Sequence, residues 1–487
     1  MLAGCSTSPA VAAELEEARS APAAQAAPIS SAGDLPTTAR PDRDANAIAA
    51  LRARGAEGLG QILAEYDRAR PSARAALAAT VDAVAAQRYA TVSRLYWYTD
   101  LEAAKAEAQR RKRPILALRM LGRLDEDLSC ANSRFFRTAL YPDARVSTLL
   151  REQFVLLWTS ERPVPRVTID YGDGRTLVGT VTGNSIHYVL DEAGNVVDAL
   201  PGLYIPQVFV RELTAARAML TAERRAHLDG PAQRAFRQRW LQARQRAADA
   251  AFADVAGAIW IPGIRQLLTA DDAASAIERA QRATAGKARV EVPLLHQIAP
   301  GTTPGDLGDG EVAQWASIGQ ALFGLGEVKA PAEPATPAAQ APGWGRRMAR
   351  VVRTVRTGMA QASAGARPGD PPAVLDARAR ALVAAVYLGG QAAPGVAADA
   401  AAVLARFEQR MVADTAIGQV RLRPQIRARL MAATPPSLEE LGQWVYAEVF
   451  STPRQDPWLG LLPRDEYTGL PGDGVVVQPQ VASASPR

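Results

Sequence analysis

Two short and almost wholly apolar runs, PILAL at residues 114–118 and FVLLW at 154–158, constrain this chain more than any other feature. Each has the length and composition of a β-strand that is buried on both faces. The segment between them carries apolar residues at helical spacing, among them Phe135, Phe136 and Leu140. A strand, a helix and a second strand in succession predict an α/β domain with its own core.

The segment before the first run extends this pattern. Thr99 and Glu102 form a T-x-x-E capping box, which predicts a helix that ends near Lys112. Earlier still, residues 44–90 show apolar positions three and four residues apart, and Pro71 interrupts them. This pattern predicts a short helical lead-in of two helices.

The segment after the second run is typical of antiparallel strands. Residues 167–181 alternate around Asp173-Gly174 and predict a β-hairpin. The stretch SIHYVLDEAGNVVDAL, residues 185–200, predicts two more strands that turn at 191–194, and residues 206–220 predict a helix. These elements complete the α/β domain.

The loop after the first apolar run contains the stretch DLSCANSRFF, residues 127–136. Cys130 and Ser133 have the spacing of a redox-active Cys-x-x-Cys site with serine at the second position. The chain's other cysteine, Cys5, lies far away in sequence and in a different context. The two cysteines are therefore interpreted as separate features rather than as a disulfide framework.

These residues carry a family resemblance. YTDLEAAKAEAQRRKRPILAL followed by CANSRFFRTALYPDARVSTLLREQFVLL resembles the thioredoxin-like superfamily, especially its bacterial envelope members. Cys130 matches the family's nucleophilic cysteine and Ser133 its resolving cysteine. Further on, SIHYVLDEAGNVV resembles the family's strand hairpin and places Ser185 at its cis-proline. The resemblance implies a thioredoxin-like domain over residues 95–222.

Three departures from the family pattern bear on the implied chemistry: Ser133, Ser185, and a hairpin where the family has a helix. Without a second thiol, Cys130 could form a mixed disulfide but could not release its partner as an oxidised pair. The resemblance still implies that Cys130 lies at a helix start, where the helix dipole favours a thiolate. Ser133 would then donate a hydrogen bond to the sulfur.

Charged residues near Cys130 in the sequence would have opposite effects on the ionisation of its thiol. Arg119, Arg134 and Arg137 would favour a thiolate, whereas the acidic residues 125–127 would oppose it. Residues 114–120 contain no carboxylate that could act as a buried proton acceptor. The sequence therefore leaves open whether Cys130 is redox-active or is only a retained residue at a helix start.

His187 follows Ser185 by two residues on the same predicted strand, so it could face the sulfur of Cys130. A cysteine-histidine pair would activate the thiol. The alternative is a strand histidine with no catalytic role. His227 and His296 have no neighbours at metal-ligand spacing, so neither a metal site nor a cofactor is predicted.

The rest of the chain is predicted to be helical or irregular, which gives an α/β thioredoxin-like domain plus a larger all-α domain. The predicted divisions are a lipobox and disordered tether at 1–43, the helical lead-in at 44–90, the thioredoxin-like domain at 95–222, a helical region at 230–327, a Pro/Ala linker at 328–345, a second helical region at 346–470 and a disordered tail at 471–487. Ser437 and Glu440 form a further capping box in the last helical region.

The chain opens with Leu2-Ala3-Gly4-Cys5, which has the form of a bacterial lipobox, and an Ala/Pro/Ser-rich stretch follows it. Cys5 is therefore predicted to carry a lipid on the periplasmic side of a bacterial membrane. A secretory signal needs an apolar stretch before the cleavage site, so this prediction requires translation to start upstream of Met1. The alternative is a cytoplasmic protein.

The net charge of +6 does not by itself identify a partner. No zinc-finger spacing, RNP-like motif or long basic tract favours nucleic acid. Residues 346–359 could form a basic helix on anionic lipid, or a solvated helix face. Late aromatic residues, including Trp444, Tyr446 and Phe450, are interpreted as core, with a partner-docking patch as the alternative.

Two functions follow as hypotheses. The first is a lipid-anchored envelope protein whose monothiol thioredoxin-like domain exchanges thiols through Cys130, with envelope proteins or small thiols as partners. The second is an interaction scaffold in which that domain is catalytically inactive. An enzyme housed in the helical region has no motif in its favour.

Overall fold

The computed structural model describes residues 41–181, 183–258, 309–325, 374–388 and 400–452. The predictions for the lipobox, the tether up to residue 40, the Pro/Ala linker, the basic helix at 346–359 and the C-terminal tail lie outside these residues. Within them, the coarse prediction of an α/β region combined with helical segments is confirmed.

The lead-in consists of three helices and a short turn rather than two helices. They are α1 (Ala45–Ala53), α2 (Ala56–Arg68), α3 (Pro71–Ala85) and the single turn α4 (Ala90–Ser93). The break at Pro71 is as predicted. The additional break falls at Gly55, whose φ of +63° ends α1 and brings the chain close to the hydroxyl of Tyr98. Glycine is suited to this position because other residues seldom adopt a positive φ.

Helix α5 (Leu101–Arg111) begins one residue later than the capping box predicts. Asp100, not Thr99, is the N-cap, and its carboxylate accepts a hydrogen bond from the backbone N–H of Ala103 at 2.7 Å. The predicted T-x-x-E box is therefore wrong. Aspartate is an equally good N-cap residue and carries a charge that the helix dipole favours. The helix ends at Lys112, as predicted.

A four-stranded sheet forms the centre of the α/β region. Strand β1 (Ile115–Leu121) pairs in parallel with β2 (Val155–Arg162) and antiparallel with β5 (Ser185–Leu190), and β6 (Val196–Pro201) pairs antiparallel with β5 at the edge. Every residue of β1 is buried. This agrees with the continuous apolar run that predicted the strand.

The crossover from β1 to β2 is helical throughout most of its length. It comprises α6 (Ala131–Phe135), a π-helical turn (Phe136–Leu140) and α7 (Ala144–Gln153). The predicted hairpin follows as β3 (Arg166–Asp170) and β4 (Thr176–Thr180), a separate two-stranded sheet. The predictions for both segments are confirmed.

The later helices begin with α8 (Pro206–Arg225), which packs against α7. The others are α9 (Gly230–Ala258), α10 (Asp309–Phe323), α11 (Ala377–Leu388), α12 (Ala400–Ile417) with a π turn at Gly418–Leu422, α13 (Arg423–Leu430), and α14 (Leu438–Trp444) with a π turn at Val445–Val449. The capping box of Ser437 and Glu440 is present.

The sheet and the late helices share a hydrophobic core. One buried cluster contains Leu116 and Tyr188 of the sheet together with Ala379, Met411 and Tyr446 of the late helical segments. In the described residues, the sheet is therefore covered in part by helices that lie more than two hundred residues away in sequence. The predicted domain boundaries stay a prediction.

A buried group of charges also joins these parts, and we call Asp198, Glu212, Arg423 and Arg427 the ionic cluster. Arg423 donates to Asp198 at 2.6 Å and to Glu212 at 2.8 Å, and Arg427 donates to Asp198 at 3.1 Å. Burial by itself would raise the pKa of Asp198, but the two guanidinium groups outweigh it and hold that pKa below its usual range. Both carboxylates are therefore ionised inside the protein.

Candidate functional site

The site is built around Cys130, which lies directly before α6 as its N-cap residue. Its backbone N–H donates to the carbonyl oxygen of Leu121 at 3.2 Å, so the loop after β1 returns to the end of the strand. The cysteine has no solvent exposure and is a free thiol. The sequence correctly placed Cys130 at a helix start, but the regular α-helix there is only five residues long.

Two serines, Ser133 and Ser185, lie beside the sulfur, and Ser129 is bonded to Ser133. We call Ser129, Cys130, Ser133 and Ser185 the thiol cluster. The thiol donates to Ser133 Oγ at 3.4 Å and lies 3.5 Å from Ser185 Oγ, where either atom could be the donor. All four residues are fully buried. The structure therefore brings together the three residues that the sequence selected, Cys130, Ser133 and Ser185.

Ser133 was predicted to donate a hydrogen bond to the sulfur, but in the structure its hydroxyl accepts one from the thiol. Its single hydrogen points toward either the carbonyl oxygen of Cys130, at 2.7 Å, or Ser129 Oγ, at 2.8 Å. Ser133 therefore accepts a hydrogen bond from the thiol instead of donating one.

Arg137 holds the loop before Cys130. Its guanidinium donates to the carbonyl oxygens of Glu126 and Asp127 and, at 3.1 Å, to Ser129 Oγ. Burial lowers the pKa of Arg137 to about 10, which still leaves it charged at neutral pH. The partners of this arginine are mostly backbone carbonyls, so its role is to fix the shape of the loop.

The other charges predicted to influence the thiol have partners elsewhere. Arg119 donates to Glu161 at 2.6 Å and to Glu439 at 2.7 Å, and Arg134 donates to Thr180 at 3.1 Å. Of the three acidic residues in the loop, Asp125 and Glu126 pair with Arg123, and Asp127 pairs with Arg88. The two hydrogen-bonding groups at the sulfur are neutral serines.

His187 has Tyr141 as its hydrogen-bond partner, with 2.7 Å between Nε2 and the phenolic oxygen. The ring is fully buried and lies against Phe136 and Phe209. Burial lowers the pKa of His187 to about 3, so the ring is neutral. Its Nδ1 has no hydrogen-bond partner among the described residues. These contacts indicate a core histidine that is bonded to tyrosine rather than a base directed at Cys130.

The C-terminal segment, residues 437–452, lies beside the site although it belongs to a distant part of the chain. The hydroxyl of Tyr446 donates to the carbonyl oxygen of Asn184 at 3.2 Å, and Asn184 Nδ2 donates to the carbonyl oxygen of Phe450 at 3.3 Å. Asn184 directly precedes Ser185, which touches the sulfur. Tyr446 is close enough to Cys130 for a thiolate there to raise the pKa of the phenol, which burial already raises.

Sequence reasoning missed several of these participants. Ser129, Tyr141 and Asn184 lie in the quoted stretches, but no motif distinguished them from ordinary neighbours of Cys130. Tyr446 belonged to an aromatic group that the sequence assigned to a helical core, and burial of its side chain confirms a core position. Its place beside a sheet that precedes it by about 250 residues had no signal in the sequence.

The described residues offer neither a metal cluster nor a membrane-spanning helix. No cluster of three or more His, Cys, Asp or Glu side chains suited to a metal ion occurs in them. None of the helices within these ranges is long and apolar enough to cross a membrane. Cys5, the predicted lipidation site, lies outside them.

Comparison of the chain with known protein families, with curated proteins and with solved structures finds no match. The function must therefore be inferred from the chemistry of the thiol cluster and its surroundings.

Proposed function

We propose that residues 95–222 form a divergent thioredoxin-like domain whose thiol is not used in the closed molecule, and that the protein acts as an interaction scaffold. The sheet order supports the first part, because a central β1 lies between a parallel β2 and an antiparallel β5, with β6 at the edge. Cys130 at the start of the helix after β1 supports it as well. This is the arrangement that the sequence resemblance implies.

The observation that carries the scaffold proposal is the complete burial of Cys130. In thiol exchange a thiolate attacks one sulfur of a disulfide and displaces the other as a thiolate, so the attacking sulfur must be accessible. Here the sulfur is enclosed and faces neutral serines, and within the described ranges no second thiol lies beside it to complete a turnover. A binding platform needs none of these features.

Monothiol exchange is the second candidate, and one contact favours it. Ser185 Oγ lies 3.5 Å from the sulfur and is free to act as donor or acceptor. If the site opened, this hydroxyl could rotate and donate to a thiolate. Exchange would then depend on a structural change that exposes Cys130.

We also propose that the scaffold is held at a bacterial envelope through a lipid on Cys5. The Leu2-Ala3-Gly4-Cys5 sequence and the Ala/Pro/Ser-rich stretch after it support this location. Partners of the scaffold would then be other envelope proteins.

Incubation of the folded protein with oxidised glutathione tests the choice between the two functions. In exchange, the Cys130 sulfur bonds to one glutathione, and the other glutathione leaves as a thiol. The scaffold proposal predicts no adduct on the Cys130 peptide by mass spectrometry within hours at pH 8. The same protein unfolded in urea is the matched control and should be modified. Rapid modification of the folded protein would contradict the scaffold proposal.

A further inference from the structure

Regularly spaced residues on one side of the C-terminal segment contact the sheet and the loop before β5. Glu439, Gly442, Tyr446 and Phe450 follow one another at intervals of three, four and four residues. Residues at these intervals lie along one face of a helix. The first two contact Arg119, and the last two bond to Asn184. Glu439 and Gly442 lie in α14, Tyr446 lies in the π-helical turn and Phe450 directly follows that turn. This side of the segment contacts β1 and the loop that leads to Ser185, and we call the surface it contacts the groove.

The middle of this contact is tight. A Cβ atom on Gly442 would lie only 2.3 Å from Nη1 of Arg119, well inside van der Waals contact. Arg119 cannot move away freely, because it is also bonded to the buried carboxylate of Glu161. The groove therefore requires a residue without a side chain at this point of the helix.

The outer parts of the contact are weaker. The side chain of Glu439 is 56% exposed, so solvent screens its ion pair with Arg119. The two bonds to Asn184 join neutral groups at 3.2 and 3.3 Å. Leu441, Val445 and Tyr446 are buried and hold the segment in place. Any group that displaces it must supply equivalent apolar contacts.

The segment also has the properties of a separable unit. Its helix is capped by its own residues, because Ser437 and Glu440 satisfy each other's backbone N–H groups. The connection from α13 is exposed at residues 432–434 and then contains Pro435 and Pro436. A π-helical turn at Val445–Val449 lies where the segment passes the loop to Ser185. The start of this helix does not depend on the rest of the protein.

We infer that the groove is a helix-binding site which the chain's own C-terminal segment occupies in an autoinhibitory way, closing off Cys130. The ligand it fits is an amphipathic helix with an acidic residue, a glycine three residues later, and a tyrosine four residues after the glycine. A partner helix of this pattern would displace the segment and expose the thiol. The inference that a partner protein's helix binds the groove rests on the proposed scaffold function. The inference that the segment closes off Cys130 does not rest on it.

Alkylation of Cys130 by iodoacetamide tests the closure in the full-length chain, read on the Cys130 peptide by mass spectrometry. Gly442→Ala should speed alkylation about tenfold or more. One methyl group added to a packed contact destabilises it enough to change the population of the displaced segment by about that factor. The matched control is Gly60→Ala, where the new methyl group would meet no atom within 4 Å. It should leave the rate unchanged.

A synthetic peptide of residues 437–452 tests the groove itself. Added to the Gly442→Ala protein, it should slow alkylation back toward the wild-type rate, because its glycine fits beside Arg119. The same peptide with alanine in place of glycine should have no effect. If both peptides are inactive, or both protect equally, the proposed helix site is wrong.

The wild-type protein gives an independent measurement if the Gly442→Ala variant does not fold. Alkylation at low urea concentrations should depend only weakly on urea, since displacement of one segment exposes little surface. Dependence as steep as that of global unfolding would overturn the inference. Rapid glutathione modification of the folded wild-type protein would refute both the scaffold proposal and the closure of Cys130. Failure of the peptides while Cys130 stays unreactive toward glutathione would refute the helix site alone, so the two failures can be told apart.

Discussion

The thiol cluster and the ionic cluster are both buried against the same sheet, yet they differ in almost every physical respect. The thiol cluster consists of short neutral side chains from one stretch of sequence and from the start of β5. The ionic cluster joins β6 and α8 to α13 with full charges. The first could lose a member at little cost, whereas the second could not, because an unpaired charge inside a protein is strongly unfavourable.

The comparison separates contacts that hold the fold through paired charges from contacts that hold it through packing and neutral hydrogen bonds. Asp198, Arg423 and Arg427 hold a late helix on the edge of the sheet, so their role is structural. The serines at Cys130 fill space and satisfy one another's hydrogen bonds. A structural role therefore accounts for the ionic cluster, whereas the thiol cluster contains no charge that the fold must neutralise.

Removal of a charge from the ionic cluster should have the largest effect. Asp198→Ala leaves Arg423 and Arg427 buried without this carboxylate and should reduce the free energy of unfolding by about 3–5 kcal/mol. Urea denaturation monitored by circular dichroism measures it. Asp173→Ala, which removes an exposed carboxylate paired with Arg175, is the control and should leave stability unchanged. A loss of stability as small as the control's would break the proposed contrast.

The pH dependence of His187 should have the next largest effect. Its pKa is about 3 in the folded state, below the ordinary value of 6.5, so the unfolded chain binds more protons between these values. Stability should therefore fall as pH falls from 6.5 toward 3, by about 1.4 kcal/mol per pH unit. Above pH 6.5 the contribution is constant.

The measurement for His187 is the difference in unfolding free energy between wild type and His187→Gln across this range. A difference is needed because burial raises the pKa of Asp82 to about 7, which opposes the effect of His187 in the total stability. Arg88 and the backbone N–H groups of Tyr89 and Ala90 favour its ionised form but do not outweigh burial. A difference that does not change with pH would show that His187 is not held neutral.

Replacement of Cys130 should have the smallest effect. Cys130→Ala removes one buried sulfur and two weak hydrogen bonds, and should lower the free energy of unfolding by about 1 kcal/mol. The variant should keep its fold and its partners if the scaffold proposal holds. A destabilisation comparable with that of Asp198→Ala would show that the thiol cluster is as structurally important as the ionic one.

Much of the α/β region could be predicted from local patterns. The apolar runs predicted β1 and β2, and the Asp-Gly turn predicted the hairpin, because strand and turn signals extend over only a few residues. The helix start at Thr99 was displaced by one residue because Thr99 and Asp100 are adjacent and both are good N-caps. Of the candidate site, Cys130, Ser133 and Ser185 were correctly brought together through the family pattern.

The sequence by itself therefore determined the elements, the helix start at Cys130 and the absence of a second thiol beside it. The tertiary structure decided that Ser133 accepts from the sulfur, that His187 bonds to Tyr141, and that residues 437–452 contact Asn184 beside Ser185. The physical reason is the distance along the sequence over which each kind of interaction acts. Capping, turns and burial patterns act between residues close in sequence, whereas the contacts of Arg119 with Glu439 and Gly442 depend on how distant helices pack.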